Sequence, residues 1–243
     1  MTSIGIYGSQ GRMGLTIAEI APSLGGQLAG GADVGDDPAD VARKADVLVD
    51  FSAPSALEAN LAAARAARTP IVIGTTGLGE RHHAMIDEAA AEIAVLQTGN
   101  TSMGVGLLAR LVRDAAARLG AADWDIEIVE MHHRHKVDAP SGTAQMLGKA
   151  AAEGRGTTLA EAGVSDRAGL TGARAEGTIG LASLRGGAVF GDHMVIFAAA
   201  GERIELTHRA DSREIFARGA VQAALWLAGQ APGRYTMAEV LGV

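Results

Sequence analysis

A short stretch of the chain, residues 130–144, concentrates side chains that can carry protons. It reads EMHHRHKVDAPSGTA and holds three of the seven histidines. Histidine titrates near neutral pH and burial can tune a lysine toward it, so both can deliver a proton during a reaction. The formal net charge of the whole chain is −7, so this basic run produces a local field of opposite sign. We therefore predict that it binds an anionic substrate.

The second part of this stretch predicts the start of a helix. Ser141 is a favoured N-cap residue, and the backbone N–H groups of the first helical turn can bind a carboxylate or a phosphate. Two other interpretations stay open at this point. A basic run is often a solvated loop, and the histidines could be metal ligands, although Arg134 and Lys136 would repel a cation.

Composition limits the classes of function. The chain has 243 residues, enough for one large or two modest domains, and its 33 glycines predict many tight turns. The negative charge and the lack of a long basic tract argue against a nucleic-acid partner. There are no cysteines, which excludes disulfides, thiolate metal sites and a thiol nucleophile. Without a signal-peptide pattern or an apolar run of membrane length, we expect a soluble cytoplasmic protein with no membrane partner.

The first residues combine a strand, a glycine-rich loop and a helix. Residues 3–7 predict a buried strand, residues 8–14 read GSQGRMG, and apolar residues then recur at helical spacing. Such a loop lets the backbone approach a pyrophosphate at the helix N-terminus. Ser9 stands where the usual dinucleotide fingerprint has its first glycine, so the motif alone is weak. Asp33, at the end of a second predicted strand, would bind the adenosine ribose hydroxyls, or else is an ordinary turn residue.

Strands and helices continue to alternate up to residue 97. We predict strands at 45–52, 70–73 and 93–97, and helices at 54–68 and 80–91. This alternation predicts a parallel, doubly wound sheet, whose ligands bind beyond the carboxyl ends of the strands. The loops at 8–14, 33, 74–76 and 98–101 all fall at that edge.

The pattern changes after residue 103. A helix at 105–119 leads into a strand at 124–130, which delivers the histidine cluster, and a second helix runs from 143 to about 153. Residues 154–176 predict a loop. Strands at 178–185, 188–200 and 203–209 are separated by Gly-Gly and Gly-Glu turn signals, which suggest an antiparallel meander. A last helix follows Ser212, with an apolar face formed by Ile215, Phe216, Ala220, Ala223 and Leu227.

These elements predict an α/β fold, a Rossmann-like doubly wound parallel sheet with an inserted α+β domain that contains a mixed or antiparallel sheet. We place the dinucleotide-binding domain at 1–103, the substrate-binding and oligomerisation domain at 104–213, and a helix that returns to the first domain at 214–243. The histidine cluster is expected in the cleft between the domains. The second sheet leaves a face or edge to cover, so we expect self-association.

With these features in place, the sequence resembles the 4-hydroxy-tetrahydrodipicolinate reductase family, also called dihydrodipicolinate reductases. The resemblance is carried by the GRMG end of the glycine loop, DFS at 50–52, VIGTTG at 72–77, the whole of 130–144 and FARGAV at 216–221. It implies reduction of a cyclic dicarboxylate with NADH or NADPH, in lysine and diaminopimelate biosynthesis, by a protein that is typically a homotetramer.

The resemblance also implies roles for individual residues. His132 and Lys136 would be the catalytic pair that transfers protons, and no metal is expected. The substrate carboxylates would be held by His133, Ser141, Gly142 and Thr143. The cofactor would be contacted by Gly8, Ser9, Gln10, Gly11, Arg12, Met13, Asp33, Gly74, Thr75, Thr76, Thr98, Gly99, Asn100 and Thr101.

Two positions depart from the family pattern. Many members have Asn-Phe-Ser where this chain has Asn100, Thr101 and Ser102, so an aromatic residue at the nicotinamide is missing. Asp33 is followed by Val34 and Gly35, without the arginine that often receives a 2′-phosphate, which favours NADH, although Arg12 could still reach that phosphate. The alternatives are another NAD-dependent enzyme, such as an aspartate dehydrogenase, or a non-catalytic NAD-binding sensor.

Overall fold

A computed structural model describes residues 1–242 of the chain, and the chain divides into two compact units. The first comprises Met1–Met103 and Glu214–Val243, and the second comprises Gly104–Arg213. Within residues 1–242, no helix has both the length and the apolar character needed to cross a membrane.

The first 103 residues form alternating strands and helices. In chain order they are β1 (Thr2–Tyr7), α1 (Arg12–Ile20), β2 (Gly26–Ala32), α2 (Pro38–Ala42), β3 (Val47–Asp50), α3 (Leu57–Ala67), β4 (Ile71–Ile73), α4 (Glu80–Ala90) and β5 (Ala94–Gln97). Short 3₁₀ turns at Ala21–Leu24 and Pro54–Ala56 extend or precede helices. The helix α2 has no signal of periodicity in the sequence, because five residues are too few to show a helical repeat.

The next segment begins with α5 (Met103–Arg118) and β6 (Asp125–His132). It continues with α6 (Gly142–Gly154), α7 (Leu159–Ala162), β7 (Gly163–Val164), β8 (Ile179–Arg185), β9 (Asp192–Ala198) and β10 (Arg203–Arg209). The end of the described chain forms α8 (Glu214–Leu227), β11 (Gly233–Tyr235) and α9 (Met237–Leu241). The prediction of an uninterrupted loop at 154–176 is therefore wrong, since α7 and β7 lie within it.

The sheet of the first unit has the strand order β11-β5-β4-β3-β1-β2, and every pairing in it is parallel. Side chains of β3 alternate between its faces: Val47 and Val49 join a core that includes α1 and α8, whereas Leu48 joins a core with α3 and α4. Helices therefore cover both faces, which confirms the doubly wound fold class. The strand β11, which pairs with β5, was not predicted.

The sheet of the second unit is mixed, with the order β10-β9-β6-β8-β7. β6 lies at its centre, parallel to β8 and antiparallel to β9, while β9 and β10 are antiparallel. The predicted meander is thus wrong at its first turn, since β8 and β9 are separated by β6. The glycines between them instead bond to the end of β6: the N–H of Gly186 donates to the carbonyl of His132 at 3.0 Å.

The core of the second unit lies between α5, α6 and one face of this sheet. Leu108 and Val112 of α5 and Leu147 of α6 pack there against Ile128 and Phe197 of the strands. Because side chains alternate along a strand, the intervening residues point to the other face. This second face carries one exposed apolar side chain, that of Leu184, and four half-buried ones: Val129, Met131, Met194 and Ile196.

Candidate functional site

The glycine loop after β1 is held in place by close backbone contacts. Gly8 has a φ of 75°, and a Cβ there would come within 2.6 Å of the carbonyl oxygen of Phe51. A Cβ on Gly14 would lie 2.3 Å from the carbonyl oxygen of Gly8, so α1 packs directly on the loop. Only glycine fits at these two positions. The side chain of Ser9, which replaces the usual glycine, occupies the space left open by Gly31.

Asp33 is attached to the glycine loop through its carboxylate. Oδ2 accepts the backbone N–H of Gln10 at 2.9 Å, and Oδ1 accepts that of Val34 at 2.8 Å. These two hydrogen bonds lower the pKa of Asp33. Beside them lies a cavity of ≈ 520 Å³. Its lining includes Asp33 and Asp36 and, within residues 1–242, no lysine or arginine.

The loops after β3 and β4 are joined by a buried carboxylate. Asp50 accepts hydrogen bonds from the backbone and hydroxyl of Ser52, from Nδ2 of Asn60 at 3.1 Å and from the hydroxyl of Thr75 at 3.1 Å. The ring of Phe51 covers Gly74, where a Cβ would lie 2.3 Å from the ring. Thr75 is therefore fixed and buried, while Thr76 is exposed.

The loop after β5 is anchored to α8. The hydroxyl of Thr101, a residue 2% exposed, donates to the carbonyl of Phe216 at 2.6 Å. Thr98 and Asn100 bond to each other within the loop, and Gly99 is exposed. The predicted cofactor residues thus lie at the carboxyl ends of the parallel strands, as expected for a Rossmann-like sheet, with Arg12 exposed at the start of α1.

The buried face of β6 ends in a carboxylate and an imidazole. Glu130 and His132 point to the same face because they are two residues apart in a strand. Glu130 is 1% exposed and His132 is 9% exposed, and Nδ1 of His132 lies 2.6 Å from Oε2 of Glu130. Arg185 of β8 bonds both oxygens of Glu130 at 2.8 Å, and the backbone N–H of Ser141 donates to Oε1 at 3.2 Å.

Charge explains how this carboxylate is kept in the interior. Burial by itself raises the pKa of Glu130, but the hydrogen bonds from Arg185 and His132 outweigh burial and lower that pKa to about 2. Glu130 is therefore ionised at neutral pH. A bidentate guanidinium on one side and an imidazole on the other satisfy the buried charge.

His193 of β9 completes what we call the Glu130 cluster, formed by Glu130, His132, Ser141, Arg185 and His193. Its ring meets that of His132 edge to face with centroids 5.1 Å apart, and its Nε2 lies 3.1 Å from the hydroxyl of Ser141. The Ser141 oxygen already accepts the N–H of Ala144, so its own proton is available for Nε2. Burial, and next the charge of His132, lower the pKa of His193 to about 4, so it is neutral at pH 7.

The remaining predicted site residues surround this cluster. Nζ of Lys136 lies 2.8 Å from the carboxylate of Asp138, which lowers the pKa of Asp138. His133 is half-buried, and desolvation, followed by the charge of Arg213, lowers its pKa. Gly142 and Thr143 form the first turn of α6, where backbone N–H groups have no helical acceptor. Ser141 is the N-cap, but its side chain is buried and bonded within the cluster.

Sequence reasoning missed three members of the cluster: Glu130 as a partner of His132, and Arg185 and His193 altogether. A signal for Glu130 was present, since its spacing from His132 places both on one face of a strand. Arg185 pairs with His132 and His193 pairs with Glu130 across neighbouring strands. Those pairings depend on the strand order of the sheet, which local patterns do not provide. Within residues 1–242, no three His, Asp or Glu side chains are arranged to hold a metal ion.

Comparison with protein families matches both halves of the chain. The family model described as "Dihydrodipicolinate reductase, N-terminus" matches residues 21–101. The model described as "Dihydrodipicolinate reductase, C-terminus" matches residues 104–241, which include the whole Glu130 cluster.

Individual relatives agree with these matches. A 4-hydroxy-tetrahydrodipicolinate reductase of Zymomonas mobilis is 56% identical over 247 residues, covering 99% of this chain and 97% of that protein. One from Mesorhizobium japonicum is 49% identical, covering 98% and 96%. Among solved structures, a dipicolinate-bound dihydrodipicolinate reductase from Paenisporosarcina sp. TG-14 superimposes with a TM-score of 0.78 at 21% identity, covering 98% of both chains. That structural likeness supports the fold.

Proposed function

Since the chain belongs to the dihydrodipicolinate reductase family, we infer that it reduces 4-hydroxy-tetrahydrodipicolinate, with loss of water, in lysine and diaminopimelate biosynthesis. It is an oxidoreductase that uses NADH or NADPH. The observation that carries this conclusion is the identity of 56% along 99% of the chain with a reductase of that name. The test is oxidation of NADH or NADPH that depends on pyruvate, aspartate semialdehyde and their synthase together. Cofactor binding without oxidation would contradict it.

The first unit fits a dinucleotide. The loop glycines leave a cradle that a Cβ would fill, and the cavity beside Asp33 is large enough for part of a nucleotide. When bound, the cofactor supplies the hydride. We propose that the residues that hold it are Gly8, Ser9, Gln10, Gly11, Arg12, Met13, Asp33, Gly74, Thr75, Thr76, Thr98, Gly99, Asn100 and Thr101. Gln10 and Asp33 orient one another through their hydrogen bond.

The second unit fits a dicarboxylate. We propose that His133 and the first turn of α6, at Gly142 and Thr143, hold the substrate carboxylates. Ser141, which was also predicted to bind them, donates its N–H to Glu130 and its hydroxyl proton to His193, so we propose that it supports this turn from within the cluster. Reduction of the conjugated ring moves electron density toward the ring nitrogen, so cations there stabilise the transition state more than the ground state. His132 and Lys136 are the proposed proton donors. The contact with Glu130 supports this role for His132. Because Nδ1 is bonded to the Glu130 carboxylate, Nε2 is the ring nitrogen left to exchange a proton with a ligand.

Single substitutions test the proton donors. His132→Gln and Lys136→Met should each lower kcat by about 10²-fold or more, the usual scale for a lost general acid. Binding of NADH, measured by calorimetry, should stay unchanged because none of the proposed cofactor residues is replaced. The exposed His135 provides the control, and His135→Gln should keep normal turnover. Normal turnover in both of the first two variants would refute the assignment.

Charge at the cavity favours NADH over NADPH. The 2′-phosphate of NADPH would meet the carboxylates of Asp33 and Asp36, and the described lining offers no lysine or arginine to neutralise it. We propose that kcat/KM for NADH exceeds kcat/KM for NADPH. The substitution Asp33→Ser removes one of the two carboxylates, so it should lower the ratio of kcat/KM for NADH to kcat/KM for NADPH by about tenfold or more. Higher kcat/KM with NADPH in the unsubstituted enzyme would show that Arg12 or another group outside the cavity receives the phosphate.

We further propose that the protein is a cytoplasmic homotetramer assembled through the second face of the mixed sheet. That face presents apolar side chains at its centre, which association would bury. Ile196→Arg should therefore reduce the mass measured by light scattering, whereas Ala200→Arg, which makes the same change of charge in an exposed turn, should not. A monomeric mass for the unsubstituted protein would contradict the proposal, and recovery in a membrane fraction would contradict the location.

A further inference from the structure

We propose that Glu130 is a positioning residue for the reaction: held by Arg185 and by the backbone of Ser141, it fixes the ring of His132 and the nitrogen on which its proton resides. This inference rests on the proposed role of His132 as a proton donor. It concerns a side chain that the sequence patterns did not single out.

The hydrogen bonds at Glu130 determine which ring nitrogen of His132 carries the hydrogen. The donors that converge on its two oxygens include both nitrogens of the Arg185 fork, the N–H of Ser141 and Nδ1 of His132. The side chain of Ser183 also bonds to this carboxylate. An ionised carboxylate has no proton of its own, so each neighbour must donate. Nδ1 of His132 therefore carries its hydrogen, and in the neutral ring Nε2 is the nitrogen with a lone pair.

The second ring nitrogen of His132, Nε2, lies beside Gly191. Within residues 1–242, Nδ1 has Glu130 as its partner, and Nε2 has no hydrogen bond. Nε2 faces Gly191, where a Cβ would lie at 3.0 Å. The lack of a side chain at Gly191 thus keeps the reactive nitrogen uncrowded. Nε2 is the atom that would take up and release the proton used in the reaction.

Arg185 holds the carboxylate rigidly. Its guanidinium also donates to the carbonyl of Asp138 at 2.7 Å, so it connects Glu130 to the loop that carries Lys136. Rotation of the Glu130 carboxylate would break the paired bonds to Arg185 and leave a buried charge unsatisfied, which is costly. The rigid carboxylate in turn limits rotation of the His132 ring. Such outer partners commonly determine the tautomer and orientation of a functional histidine.

The substitution Glu130→Gln distinguishes a role of Glu130 in positioning His132 from a role in packing alone. The amide has almost the same shape as the carboxylate, but its NH₂ group must replace one acceptor. At either oxygen position the NH₂ group would lose one bond from Arg185, whose guanidinium cannot accept. At the Oε1 position it would also face the N–H of Ser141, which cannot become an acceptor, whereas at the Oε2 position it faces His132, whose Nδ1 can. The proposal therefore predicts that Glu130→Gln moves the hydrogen of His132 from Nδ1 to Nε2.

The control lies on the same strand. Glu127 of β6 is bonded by Arg167 and Arg174, so it also forms carboxylate–arginine pairs, but its odd spacing from His132 places it on the opposite face. Glu127→Gln changes the same chemical group in the same strand without touching the Glu130 cluster. It should leave the tautomer and the turnover unchanged, and light scattering checks that its mass is also unchanged, because Glu127 pairs with Ile196 on the proposed assembly face.

The experiment combines ¹⁵N NMR of the histidine rings with steady-state kinetics on the full chain. His132→Gln assigns the His132 signals by their disappearance. In Glu130→Gln we expect the His132 pattern to switch to the Nε2–H form and kcat to fall by at least about tenfold, with KM for both substrates changed less than about twofold. Glu130→Asp, which restores the charge, should restore the Nδ1–H form and more of kcat than the amide does.

The outcomes distinguish the two hypotheses. Normal kcat in His132→Gln would refute the proposed function of that residue. A low kcat in His132→Gln, together with an unchanged His132 tautomer and normal kcat in Glu130→Gln, would overturn the positioning role alone. If Glu130→Gln does not fold, the test moves to Arg185→Lys, which keeps the positive charge but loses the fork. There, a mobile His132 ring with reduced kcat supports the proposal, and an unchanged ring with unchanged kcat overturns it.

Discussion

Lowering the pH should destabilise the second unit through His193. Its pKa is about 4 in the folded protein, against an ordinary value of 6.5, because the ring is buried beside His132. The folded state thus binds the proton more weakly than the unfolded chain does. The corresponding stability is complete above pH 6.5 and is lost as the pH falls toward 4, and the loss at about pH 5 is about 2 kcal/mol.

The substitution His193→Gln isolates this contribution. Glutamine can accept the Ser141 hydroxyl proton much as Nε2 of His193 does, but it cannot take up a proton in this range. His133 and His208, whose pKa values are also lowered, are present in both proteins, so most of their contribution cancels in the difference. Glu130 loses its contribution only below about pH 4.5, so the interval from 6.5 to 4.5 reports on His193.

The assay uses the two tryptophans of the chain, one in each unit. In a Trp226→Phe background, the fluorescence of Trp124 follows unfolding of the second unit in urea. Between pH 7 and about pH 5, the free energy of unfolding of the background protein, which keeps His193, should fall by about 2 kcal/mol more than that of the protein that also carries His193→Gln. His135→Gln, which removes an exposed histidine, should follow the unsubstituted protein. Parallel stability curves for His193 and His193→Gln would refute the reasoning.

Two glycine positions give further predictions. Gly14→Ala should weaken NADH binding in calorimetry by about tenfold or more, because the new Cβ would lie 2.3 Å from the Gly8 carbonyl and must displace the loop; equal affinity would contradict this packing. Gly219→Ala should lower the melting temperature of the first unit, since its Cβ would lie 1.8 Å from the carbonyl oxygen of Thr101. Gly229→Ala, where the nearest atom is 4.0 Å away, is the control for both.

The first sheet was predictable because each of its main strands carries a local signal. β1 and β3 are short runs of buried aliphatic residues, each followed by a turn and a helix, and this alternation specifies parallel strands with ligands at their carboxyl ends. β11 carries no such signal. Its three residues, GRY, contain one aromatic side chain, and the strand forms because β5 offers an unpaired edge to which it can bond.

The second sheet shows why the site could be predicted only in part. The alternation of apolar residues in β8 and β9 fits a parallel or an antiparallel neighbour equally well, so the glycines between them suggested a hairpin that does not form. Placing β6 between those strands is what brings Arg185 and His193 to Glu130. The sequence therefore predicted a role for His132 and Lys136, which lie in one continuous stretch, but did not predict the residues that hold His132. An acidic residue on the buried face of a central strand requires a cationic partner from a neighbouring strand, so Glu130 itself points to a residue such as Arg185.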